Sequence, residues 1–176
     1  MEQPLPPAPD QQQISRMMQT SELQRRLKNG ASNFYWIAGL SVLNTLVFIF
    51  GGGITFVVGL GITQIVDGFA TAAAQYSPAS AILFKGIGFI ISLVISGVFV
   101  FFGVFAGKEK KWAFLTGMVL YGLDAILMLV FKEYLGFGFH LFFLWLLYTG
   151  LRALNQLQKS IPQTIHDSSF PKNIGS

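Results

Sequence analysis

The sequence predicts an all-α membrane protein: a four-helix transmembrane bundle with one extra interfacial or re-entrant segment. Three observations carry that prediction. Of the 176 residues, 52% are apolar and only 11% are charged, whereas a soluble domain commonly carries about 25% charged residues. The apolar residues gather into stretches of bilayer length, and lipid removes the need for a polar exterior. Lys and Arg are also distributed unevenly about those stretches, as the sidedness of inserted helices requires.

Taken in order, residues 1–30 form a cytoplasmic tail and an amphipathic helix. Pro4, Pro6, Pro7 and Pro9 make residues 1–12 a disordered lead. A short helix over 13–29 then ends at Gly30, a favoured residue type just past a helix terminus. Its apolar residues Ile14, Met17, Met18 and Leu27 lie among Arg16, Arg25, Arg26 and Lys28, a pattern that suits anionic lipid headgroups. A docking site for a soluble partner is the alternative. Because the polar stretch Met1–Asn33 precedes the first apolar run, a cleavable signal peptide is not expected, and the first span is its own anchor.

Residues 31–157 form the transmembrane domain, with spans at about 34–50, 82–107, 112–131 and 134–151. Gly51, Gly52 and Gly53 break the chain after the first span, and 54–75 follows as a doubtful stretch carrying Thr63, Gln64, Asp67 and Thr71. If 54–75 crossed as a fifth span, the twelve Lys and Arg would divide six and six. If it stays on the outer side, Arg16, Arg25, Arg26, Lys28, Lys108, Lys110, Lys111, Arg152, Lys159 and Lys172 are inside, and only Lys85 and Lys132 are outside. That asymmetry favours four spans with both termini cytoplasmic. Five spans remain the alternative. Residues 158–176 read as a disordered cytoplasmic tail.

Composition excludes several chemistries. There is no cysteine, hence no disulfide, thiolate nucleophile or cysteine-held metal. The net charge of +4 reflects basic loops rather than a nucleic-acid surface, since no basic face alternates with aromatics in a polar segment. Nucleic acid is not an expected partner, and no cofactor is expected. Catalytic elbows, phosphate loops and zinc-protease motifs are missing. A His–Asp metal site would need more ligands than His140 and Asp124 supply.

The informative residues are the polar ones inside apolar spans. A charged Asp124 costs about 3 kcal/mol on insertion scales. It lies 12 residues beyond Trp112, and His140 lies 12 residues before Arg152 on the antiparallel neighbour, so both sit about 18 Å from the inner edge. Asn44, Ser92 and Ser96 reach nearly the same depth, and Tyr121 is one turn from Asp124. Together they define an intramembrane polar layer, to be read either as interhelical glue or as a proton- or ligand-handling site. Nearer the outer surface, Asp67 and Lys85 are expected to pair. Ser92, Ser96, Gly103 and Gly107 share a face of small residues, with Gly103 and Gly107 as the helix-packing pair. Ser41 with His140 evokes an intramembrane serine protease, but Ser41 is about 8 Å shallower.

In overall style the chain resembles small bacterial membrane proteins. That resemblance carries no family motif and nothing is transferred from it; the expected location is a bacterial cytoplasmic (inner) membrane. Three function classes follow, in order: a non-enzymatic subunit or assembly scaffold of a membrane complex, a small oligomeric transporter or channel using Asp124 and His140, and an intramembrane enzyme. The expected partners are the bilayer, anionic headgroups at the cytoplasmic face, and a second copy or another membrane subunit.

Overall fold

Every regular element of the computed structural model is helical, as a backbone in lipid demands when no sheet is closed. The structure describes residues 10–50 and 59–167, with side chains through residue 160. Helix α1 spans Gln11–Ile49, α2 Gly61–Tyr76, α3 Ala81–Gly107, α4 Lys111–Val130 and α5 Tyr134–Asp167, and a 3₁₀ turn at Pro78–Ser80 joins α2 to α3. Four of these are long and apolar enough to cross a membrane: α1, α3 with its preceding turn, α4 and α5. Helix α2 has 16 residues, about 24 Å, and falls short of a hydrocarbon core of about 30 Å.

The four long helices alternate in direction around a ring. α1 packs on α3 and α5, and α4 packs on α5 and more lightly on α3. One end of the bundle carries the Lys108–Lys110 turn together with the N-terminal part of α1 and the C-terminal part of α5; we call it the basic end. At the far end, α2 wedges in against α3 and touches α1 and α4. The outward faces are apolar, with Val94, Val98, Val119, Leu123, Ile126 and Phe142 among the exposed residues. That surface suits lipid and would be a liability in water.

Two helix ends are closed by turns that need no glycine. After α3, Lys110 N–H donates to Phe105 O and Glu109 N–H to Ala106 O, with Glu109 at φ 63°. After α4, Glu133 N–H donates to Met128 O and Lys132 N–H to Leu129 O, with Lys132 at φ 61°. Both are Schellman closures with a left-handed non-glycine residue, at a cost of about 1–2 kcal/mol each.

Gly30, by contrast, ends nothing. Helix α1 runs unbroken through it, starting at an Asp10 cap that accepts from Gln12 and Gln13 N–H. Gly30 lies against Gly150 of α5, and a Cβ on either would run into the other's backbone. The expected separate amphipathic helix over 13–29 is therefore the first half of α1, because the missing side chain serves a helix crossing rather than a helix stop. Below this crossing Leu27, Leu154 and Leu157 are buried, so α1 and α5 stay packed together as far as Leu157, and α5 runs on to Asp167. Glu22 pairs with Arg25 and Arg26 on the exposed side, at 2.8 and 2.9 Å. The disorder expected over 1–9 and 168–176, and Gly51–Gly53, lie outside the described residues; Gln11, Gln12 and residues 158–167 are helical.

The core in the basic half is aromatic. The Phe34 ring lies 6.0–6.4 Å from those of Phe99, Phe102 and Phe114, and Gly117 makes room for it on α4. The buried face of α3 follows Ser92, Ser96, Phe99, Gly103 and Ala106. Gly103 meets the Tyr35 ring, where a Cβ would lie 2.8 Å from Cε1. Gly107 has open space around it, so within this chain Gly103 packs without it and Ala106 takes the buried position.

Candidate functional site

A helix that begins in the packed interior of a bundle leaves its first backbone N–H groups with neither water nor an intrahelical acceptor. Helix α2 is in this position, and the polar residues of the far half answer it. Leu60 N–H donates to Ser41 Oγ at 2.7 Å. Gly61 N–H donates to Asp124 Oδ2 at 2.7 Å and Ile62 N–H to Asp124 Oδ1 at 2.9 Å. Thr63 turns its hydroxyl back to Leu60 O at 2.7 Å. Asp124 is thus an N-cap supplied from another helix, a carboxylate placed where the helix dipole is positive. A Cβ at Gly61 would displace the end of the Met128 side chain and sit in van der Waals contact with the carboxylate.

His140 completes this arrangement. Its Nε2 lies 2.9 Å from Asp124 Oδ2 and its Nδ1 2.7 Å from Gly136 O. A carbonyl oxygen only accepts, so Nδ1 carries a hydrogen. The Nε2–Oδ2 contact is then a hydrogen bond only if one further proton lies between the two groups. The pair is either imidazolium with carboxylate or imidazole with carboxylic acid, and both are neutral overall. The Tyr121 ring stacks on the imidazole at 4.5 Å and 19°. His140 is fully buried and Asp124 is 7% exposed.

Asp67, one turn and a half into α2, forms a second polar junction. Thr45 Oγ1 of α1 lies 2.8 Å from Oδ2, and Ser92 Oγ of α3 lies 3.2 Å from Oδ1. The expected partner Lys85 is not engaged: both carboxylate oxygens go to hydroxyls, which at this depth reach the carboxylate directly.

Six residues were expected to share one polar layer. The structure joins Asp124, His140 and Tyr121 in one group and places Ser92 with Asp67 in another. Asn44 packs over Gly59, where a Cβ would lie 2.7 Å from its Nδ2. Ser96 stands apart. Its hydroxyl, 2% exposed, has no hydrogen-bond partner among the described residues, and neither has the Tyr121 hydroxyl. Ser96 lines a 680 Å³ groove between α1 and α3, whose walls include Trp36, Gly39, Leu43, Leu93 and Gly97.

Ser41, Thr45 and Thr63 matter more than the sequence reading allowed. Ser41, Asn44 and Thr45 recur at offsets 0, 3 and 4 on an apolar span, a polar stripe that marks a buried polar contact. The Ser41 hydroxyl donates to Ile37 O at 2.8 Å and accepts from Leu60. It is committed to backbone, and His140 to Asp124, so the serine–histidine protease pair is not assembled. Among the described residues no group of three or more His, Asp or Glu side chains is arranged to hold a metal ion.

These features define a class: a four-span membrane bundle with a short helix lodged in its far half by buried polar caps. Comparison with protein-family models, curated proteins and solved structures finds no match.

Proposed function

We propose that the protein is a non-enzymatic subunit or assembly scaffold of a membrane complex, inserted with both termini on the cytoplasmic side. The observation that carries this reading is where the costly polar groups are spent. Both oxygens of Asp124 and both ring nitrogens of His140 are engaged within the chain, holding the start of α2. A catalytic or transport site needs such groups turned toward a ligand; here they fasten one helix to another. The α1–α3 groove, with Gly39 and Gly97 opening onto unoccupied space, has the small-residue relief that admits a neighbouring transmembrane helix. The ten-to-two distribution of Lys and Arg supports the orientation.

Co-purification from native membranes in mild detergent tests the reading. A stoichiometric membrane partner, or a homo-oligomer weakened by Gly39→Leu, is the expected result; a monomer with no partner counts against it. Reporter fusions after Lys110 and after Ser160 should both report cytoplasm.

A second reading is favoured by one specific observation, the buried 2.9 Å contact between His140 Nε2 and Asp124 Oδ2. In it the protein is a small oligomeric transporter or channel that uses this pair. Asp124→Asn separates the two readings, since a scaffold keeps its partner and a proton-handling protein loses its activity while still assembling.

A further inference from the structure

We propose that Asp67, Thr45 and Ser92 form an intramembrane proton-binding site, separate from the Asp124–His140 pair, that is loaded when α2 is docked. The argument starts from charge. Asp67 is 5% exposed, and among the described residues its two oxygens meet the hydroxyls of Thr45 and Ser92. The ion pairs among the described residues join Glu22 to Arg25 and Arg26, and Asp124 to His140; Asp67 is in none.

Among the described residues no cation pairs with Asp67. Lys85 and Lys132 are the only Lys or Arg between Lys28 and Lys108 or between Lys111 and Arg152, and residues 51–58 contain no Lys, Arg or His. Of the elements packed on α2, α1 presents Ser41, Asn44 and Thr45, α3 carries Lys85, and α4 carries Asp124, already paired, and Tyr121. A carboxylate without a cation in a low-dielectric site neutralises itself instead. A proton on the carboxyl group does this at least cost, with Thr45 Oγ1 at 2.8 Å donating to one oxygen and Ser92 Oγ at 3.2 Å donating to the other. A metal cation is disfavoured, because the carboxylate–hydroxyl separations are hydrogen-bond lengths and no multi-ligand acidic or histidine cluster surrounds them.

The site joins α1, α2 and α3, so its proton is coupled to the position of α2. Loss of the proton places a bare charge at that three-helix junction. The unfolded chain does not hold the proton at neutral pH, so unfolding releases it, and the contribution of this junction to stability falls as pH rises. Neither reading of Asp124 and His140 is required.

Infrared spectroscopy of the full-length protein in phospholipid vesicles at neutral pH tests the site. The expected result is the carbonyl stretch of a protonated carboxylic acid that disappears in Asp67→Asn. Thr45→Val keeps the carboxyl group and removes one hydrogen bond, so the same band should shift; this arm holds even if Asp67→Asn folds poorly. Absence of the band in the unaltered protein, or a band indifferent to Thr45→Val, overturns the proposal. Exchanging sodium for choline should change nothing, and an acid band that appears only without sodium would make the occupant a metal cation and overturn it too.

Discussion

The two halves of this bundle solve burial differently. In the basic half the turn Lys108–Lys110 closes at the exposed end of the bundle, and the core is built of rings and glycines: Phe34, Phe102, Phe114, Gly117, Gly30 and Gly150. In the far half a helix begins at depth, and the core there holds Ser41, Thr45, Asp67, Ser92, Asp124 and His140. The difference teaches that buried polarity here follows the backbone. Polar side chains collect where α2 opens N–H groups in the packed interior, and are rare where the helices end at an exposed turn.

Substituting Asp124 should break the comparison most severely. Asp124→Leu strips the cap from Gly61 and Ile62 and leaves His140 without its partner, a loss of about 3–5 kcal/mol when unfolding is followed in detergent micelles. Asp124→Asn keeps one acceptor oxygen and should cost about 1–2 kcal/mol. Equal costs for the two would show that capping is not what Asp124 contributes.

The basic half should respond to size instead of polarity. Gly150→Ala drives a Cβ into the Gly30 backbone and the Phe114 ring, at about 1–3 kcal/mol, with the α1–α5 crossing displaced. A neutral result in the same unfolding assay would mean that the two helices do not approach so closely. A change of opposite sign is expected at the α4–α5 turn: Lys132→Gly relieves a left-handed lysine and should raise stability by about 0.5–1 kcal/mol. The smallest effect belongs to Gly107→Ala, which meets open space and should alter stability by no more than about 0.5 kcal/mol, whereas Gly103→Ala presses on Tyr35 and should cost more. If Gly107→Ala disrupts oligomers seen by cross-linking, that face is an intermolecular contact.

Much of this was legible in the residues themselves. Segments such as Ala81–Gly107 and Lys111–Val130 have no environment but lipid in which their outward side chains are tolerated, so the number of spans follows from hydropathy. The equal depth of Asp124 and His140 was legible too, because helical rise converts residue number into distance; the two stand 2.9 Å apart.

Tertiary structure alone decided what those side chains are for. Gly30 reads as a helix stop only while its neighbour Gly150 is unknown, and Asp67 reads as a partner for Lys85 only while Thr45 and Ser92 are unplaced. Composition and periodicity determined the solvent and the spans, because transfer into lipid is nearly a sum over single residues. Caps, crossings and shared protons are properties of pairs drawn from different helices, and a linear sequence fixes a pair only after the helices have packed.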